Sequence, residues 1–233
     1  AALNNNNEAL YESAYVTNYK NMQFIWFNQK FSKLSLSFLA LNNGYQYENL
    51  TENKFQVAYL QTIGTYGKWD ASKFYGDFGL YAQTGEAAVT NDKVDVDAYY
   101  AGFNLGYKFT NSFKAELGFE YLSGKDQNDT DTKVKSFTPL FGTNHAFNGL
   151  MDYFYVGNHK NSVGLQDFYT KFIYDKNKWQ VTLAPHLFYS AASVYNMTTL
   201  EEQDSYLGTE IDLTATYKLD KNFIISGGVS KMF

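Results

Sequence analysis

The sequence predicts an all-β fold, an antiparallel transmembrane β-barrel, from three observations. Apolar and polar residues alternate over segments of about a dozen residues. The connections between segments run short, long, short, long. Aromatic residues flank the short connections. The segment Phe113-Lys114-Ala115-Glu116-Leu117-Gly118-Phe119-Glu120-Tyr121 shows the first point. Phe, Ala, Leu, Phe and Tyr share one face, and Lys, Glu, Gly and Glu the other, as in a strand whose faces meet different solvents.

About ten strands follow from this pattern, at 20–30, 33–42, 54–66, 74–84, 95–109, 113–123, 164–175, 178–190, 205–219 and 222–232. In the second, Leu34, Leu36, Phe38 and Ala40 oppose Lys33, Ser35, Ser37 and Leu39. In the fourth, Phe74, Phe78, Leu80 and Ala82 oppose Tyr75, Asp77, Tyr81 and Gln83. In the ninth, Leu207, Ile211, Leu213, Ala215 and Tyr217 oppose Glu210, Asp212, Thr214, Thr216 and Lys218. The first and third alternate poorly. Glycines recur on the polar faces (Gly79, Gly102, Gly106, Gly118, Gly208, Gly228), where a curved wall leaves room for neighbouring rings.

Short turns fall at 31–32, 67–73, 110–112, 176–177 and 220–221, and long ones at 43–53, 85–94, 124–163 and 191–204. Outer-membrane barrels put short turns in the periplasm and long loops outside. Phe31, Trp69, Phe74, Phe109, Phe113, Trp179 and Phe223 stand at the short turns, where an aromatic girdle is expected. A soluble β-sandwich also alternates, but its core should be rich in Val, Ile and Leu, and it need not place rings at one end of successive hairpins.

Composition is consistent with the barrel. The 233 residues, one domain in length, include 21 Tyr, 20 Phe, 2 Pro and no Cys, and all 19 basic residues are Lys. No apolar run reaches the length of a membrane helix. The net charge of −5 argues against nucleic acid. On the turn-length topology both ends of the chain fall outside. A single-chain barrel has periplasmic ends, so the expectation is a domain incomplete at both ends, a piece of a barrel of at least about twelve strands. No signal peptide is visible, which places any leader before residue 1.

The connection 124–163 is too long for a plain link. Its first half, Lys125 to Asp131, is polar; its oxygens suit Ca²⁺, but it lacks the glycine and closing Glu of an EF-hand. Its second half, Phe137 to Phe154, is strongly aromatic and should fold onto the barrel mouth or against a partner.

Thr143-Asn144-His145, Phe147, Gly149, Met151-Asp152-Tyr153-Phe154 and Gly164-Leu165-Gln166-Asp167, with Tyr19 to Gln23 and Asn42 to Gln46 upstream, resemble the alginate export family of outer-membrane barrels. The resemblance implies a monomeric barrel of about 16 to 18 strands whose long loops narrow a polar pore. The inward charges here are mixed: Lys33, Lys108, Lys114, Lys171 and Lys218 against Asp77, Glu116, Glu120, Asp167, Glu210 and Asp212. With no Arg to grip carboxylates, such a lumen neither attracts nor repels a polyanion strongly.

The expected function is therefore a channel in the outer membrane of a Gram-negative bacterium. It would pass polar small solutes or oligosaccharides by diffusion. The lumen-facing residues above (Asp167 aside) would line the pore, and Tyr75, Tyr81 and Tyr100 would offer ring faces. Phe141, Asn144, His145, Phe147, Asp152 and Tyr153 would form the constriction or mouth. The rival is a plugged barrel that anchors other outer-membrane proteins. No catalytic residue, metal ligand set or cofactor motif is expected. His159, Ser162 and Asp167 could be forced into a triad only by sequence adjacency.

Overall fold

The computed structural model describes residues 2–3, 19–141, 147–154, 159 and 161–233. These form one antiparallel sheet in strict sequence order, with no helix among the described residues. Ten long strands carry it: β2 (Asn21–Phe31), β3 (Leu34–Asn49), β4 (Lys54–Ala71), β5 (Phe74–Val89), β6 (Asp92–Lys108), β7 (Phe113–Leu122), β8 (Leu165–Lys176), β9 (Trp179–Tyr189), β10 (Tyr206–Lys218) and β11 (Ile224–Met232). A two-residue strand, β1 (Ala2–Leu3), pairs with the outer edge of β2. The sheet is not closed: among the described residues no pairing joins β11 to β1 or β2.

The ten segments read from alternation are all strands, but two of the four long connections are not loops. Strand β3 continues through Asn42-Asn43-Gly44 to Asn49, and β5 continues to Val89. The connections that remain are Leu50 to Asn53 and Thr90-Asn91. The turn expected at 67–73 likewise shrinks to Ser72-Lys73. Asn42, Asn43 and Gly44 look like turn chemistry, yet they stand in register opposite Gln61, Leu60 and Tyr59, and the buried Asn43 side-chain amide has no hydrogen-bond partner. Asn42 donates to Gln23 Oε1 at 2.7 Å and accepts from Gln61 Nε2 at 2.6 Å, an amide ladder across three strands. Tight reversal is possible at Asn91 and Asn177, with φ of 66° and 59°, because Asn tolerates the left-handed region.

The two faces of the sheet have inverted polarity. The inner face buries Thr62, Gln83, Glu120, Asp167, His186, Glu210 and Asp212. The outer face exposes Leu80, Phe103, Leu117, Phe168, Leu183, Ile211 and Leu213, with Leu117 at 62%. Exposed apolar residues are ordinary when scattered; a continuous face of them, opposite buried carboxylates, is not.

Two rows of polar-tipped or aromatic residues bound that apolar face. At the short-turn end, Phe74 meets Tyr107 (centroids 4.9 Å), Tyr107 meets Phe109 (4.8 Å) and Phe109 meets Phe113 (5.6 Å). Trp179 packs on Tyr217 in the same row. Phe31, Trp69 and Phe223 stand at this end as well. At the other end Tyr99 stacks on Tyr121 (5.5 Å), and Tyr189 meets Tyr206 (5.5 Å). The row continues onto β2–β6 as the register-matched Gln23, Asn42, Gln61, Thr84 and Asp97. Tyr107 and Tyr99 lie eight residues apart on β6, about 27 Å along the strand. The sequence reading found the first row and missed the second.

Four of the six glycines placed on the polar face, Gly79, Gly102, Gly106 and Gly118, lie against tyrosine rings; Gly208 meets Met232 and Gly228 meets Thr214 instead. A Cβ at Gly118 would strike the Tyr169 ring, and one at Gly106 the Tyr75 ring. The rings lie flat on bare backbone, which lets the wall carry large inner side chains.

Candidate functional site

Alternation places one inward side chain every second residue, so cross-strand neighbours stack into rows across the inner wall. Asn104 donates to Asp77 (3.1 Å) and accepts from Tyr169 Oη (2.5 Å). Tyr100 donates to Glu120 (3.1 Å), and Tyr75 to Glu116 (2.8 Å). His186 Nδ1 lies 2.9 and 3.0 Å from the two oxygens of Asp167, and its Nε2 lies 3.9 Å from Asp212. Nearer the short-turn end the lysines gather: Lys108 and Lys114 flank the Tyr75 ring at 5.1 and 5.2 Å, and Lys108 pairs with Asp70 at 2.9 Å.

The described parts of the long connection 123–164 fold back against this inner wall. Val134 bridges to Val96, and Ser123 Oγ donates to the Lys135 carbonyl at 2.7 Å. Phe137 packs against Tyr100, and Thr138 is held at both its N–H and C=O by the Gln83 amide (3.1 and 2.8 Å). Phe154 packs on Phe188, centroids 4.6 Å apart. With Leu60, Ala98, Leu122 and Leu165 these residues make an apolar core inside the upper wall.

The tightest anchorage is at 149–151. The Leu150 and Met151 N–H groups donate to Glu210 Oε1 at 2.7 and 2.9 Å, and Leu150 also to Asp212 at 3.1 Å. Gly149 adopts φ +82°, and a Cβ there would sit 2.6 Å from the Glu210 carboxyl. One oxygen of a wall carboxylate buried to 0% exposure is thus satisfied by loop backbone donors, while its Oε2 accepts no such bond.

Between loop and wall lies a cavity of about 870 Å³. Its wall side includes Asp77, Tyr81, Tyr100, Asn104, Glu120, Asp167, Tyr169, Lys171, His186 and Asp212; its loop side includes Phe137, Pro139, Leu140, Phe147 and Leu150. The sheet therefore curls around this space from β3 to β10.

Of the pore-lining residues read from sequence, Asp77, Lys108, Lys114, Glu116, Glu120, Lys171, Glu210, Asp212 and Lys218 share the inner-facing register. Lys33 does not lie on the wall; it sits in the two-residue turn after β2, because β3 begins only at Leu34. Glu210 and Asp212 grip the loop. Phe147 lines the cavity, Asp152 is half-buried, and Phe141 and Tyr153 are exposed, the former edge-on to Tyr19. Asn144 and His145 lie outside the described residues. The triad partners do not assemble: Asp167 faces His186, and Ser162 Oγ donates to the His159 carbonyl at 2.9 Å. In the acidic stretch of the loop, Lys135 bridges Asp129 (2.7 Å) and Asp131 (3.2 Å), putting an ammonium where a cation had been conceivable. Both carboxyls are held below the usual range, Asp129 by its bond from Lys135 and Asp131 by the Lys133 backbone N–H and then Lys135.

Sequence reasoning missed Gln83, Asn104 and Tyr169, and the docking role of Gly149. Only Asn148-Gly149 carried a signal, as a turn pair suited to positive φ. No protein-family model matches the chain, and a search of curated proteins finds none similar to it.

Proposed function

We propose that this chain forms wall of an outer-membrane β-barrel channel for polar solutes or oligosaccharides, with the 123–164 loop as its constriction. The observation that carries this reading is the inverted polarity of the sheet. Its outer face is apolar over about 27 Å of strand between two rows of rings and polar groups, about 20 Å across a bilayer for strands tilted by about 40°. The inner face carries buried carboxylates and amides, with partly exposed lysines nearer the short-turn end. A soluble sandwich would bury the Leu117 face and expose the Asp167 face. The resemblance to the alginate export family belongs to the same proposal. The open edges β1 and β11 are where further strands would pair. Strands of 16 to 18 residues in β3 to β6 exceed the 9–11 needed to cross, so these hairpins would stand above the membrane on the loop side.

A second reading, a plugged barrel with an anchoring role, is favoured by one observation: the loop buries its own apolar core in the upper wall. Planar-bilayer recording separates the two. Stable stepwise conductance from the purified protein supports the channel; silence, with partners co-purifying in stoichiometric amount, supports the plug.

A further inference from the structure

We propose that the channel conducts asymmetrically, passing more current when its loop side is positive, because its two ends carry opposite charge. The inference goes beyond the channel proposed above and rests on it.

Charge divides along the axis of the wall. The short turns lie at 32–33, 72–73, 109–112, 177–178 and 219–223. Within five residues of them stand ten lysines against five carboxylates. The rest of the described residues carry eight lysines against seventeen carboxylates.

The inward register follows the same division. Lys30, Lys68, Lys108, Lys114 and Lys218 face inward near the turns, with Asp70, Asp77, Glu116 and Asp175 among them. Lys33 and Lys73 stand in the turns themselves. Glu120, Asp167, Glu210 and Asp212 face inward at least seven residues from any short turn, with Lys171 among them. Asp212 and Lys218 are six residues apart on β10, about 20 Å along the strand and about 15 Å along an axis tilted by about 40°. That exceeds the Debye length of about 10 Å in 0.1 M salt, so the acidic and basic zones keep separate fields there.

Two such zones in series act on ions in a direction-dependent way. The acidic zone admits cations and the basic zone admits anions. A positive loop side drives each species in through its own zone, and salt accumulates between them. The opposite voltage drives each species against a zone of like charge, and the middle of the pore empties.

The test is single-channel recording of the purified full chain in planar bilayers. At equal and opposite voltages the two currents should differ at least about 1.5-fold in about 0.1 M potassium chloride and converge in about 1 M, where the Debye length is about 3 Å. Diluting the chamber that carries the larger current when positive should give a more cation-selective reversal potential than diluting the other. Lys33, Lys68 and Lys218 are exposed. Lys33→Gln, Lys68→Gln and Lys218→Gln together should bring the dilute-salt ratio below about 1.2. If that variant loses its far-UV circular dichroism, Lys68→Gln with Lys218→Gln should still lower the ratio. The opposite order of selectivity, or an unchanged ratio in a folded variant, overturns the proposal. Steady conductance with equal currents leaves the channel and sinks the asymmetry; silence at both voltages sinks the channel and the asymmetry with it.

Discussion

Replacing Gly149 with Ala should undock the loop without harming the wall. The residue sits at φ +82°, which costs an L side chain roughly 1–2 kcal/mol. The new methyl would also lie 2.6 Å from the Glu210 carboxyl, which must retreat from the Leu150 and Met151 N–H groups it accepts at 2.7 and 2.9 Å. A hydrogen bond to a charged group contributes about 1.5–3 kcal/mol. Losing one of the two brings the total to roughly 2.5–5 kcal/mol, centred on a several-hundredfold shift in the docking equilibrium at about 1.4 kcal/mol per factor of ten. Hydrogen exchange followed by mass spectrometry reads this directly. The amides of 150–151 should exchange several hundred times faster in Gly149→Ala, while peptides from β8 and β9 keep their protection. Glu210→Gln, which keeps an oxygen but loses the charge, should fall between the variant and the parent. Protection at 150–151 that changes less than threefold in Gly149→Ala refutes the carboxylate latch.

Two further outcomes follow from the same geometry. In Gly118→Ala the added methyl collides with the Tyr169 ring and disturbs its bond to Asn104, so the urea midpoint should fall by an amount corresponding to roughly 1–3 kcal/mol. An unchanged midpoint would show that the ring does not rest there. His159, 6% exposed in the loop, has its pKa pushed down by burial, against the pull of a bond to the Phe154 backbone. Its neutral form is the folded form. The unfolded chain takes up a proton near pH 6.5, so the loop loses stability as pH falls below about 6.5 and keeps it above. Exchange in 134–140, corrected for intrinsic rates, should rise between pH 7 and pH 5 and do so less in His159→Gln; equal pH dependence in both would refute the assignment.

What the sequence carried and what it hid divide along physical lines. Alternation is local, so strands such as β7, β9 and β10 are legible from their own residues, and so is the inward set from Lys114 to Lys218. Strands β2 and β4 alternate poorly for separate reasons. Strand β2 lies beside the short β1 at the sheet's edge and is apolar on both faces, with Ile25 and Phe27 outward and Trp26 inward. Strand β4 turns Leu60 inward against the loop's core and Ala58 inward against Tyr47 and Ala88, where polar residues stand elsewhere. Asn42, Asn43 and Gly44 mislead because they pair across the sheet, Asn42 also through its side-chain amide to Gln23 and Gln61, which no local window shows. The latch joins residues sixty positions apart, Leu150 and Glu210, and nothing in either segment announces the other.

The central claim is that the exposed apolar face meets lipid and the buried polar face meets water. The chain has no cysteine, so single cysteines can be placed freely along β7 and spin-labelled in lipid vesicles. Collision with oxygen and with a water-soluble nickel chelate should alternate with period two. Labels at 115, 117 and 119 should be accessible to oxygen and shielded from nickel, and labels at 114 and 116 the reverse. Nickel accessibility at 117 matching that of an aqueous loop would contradict the account.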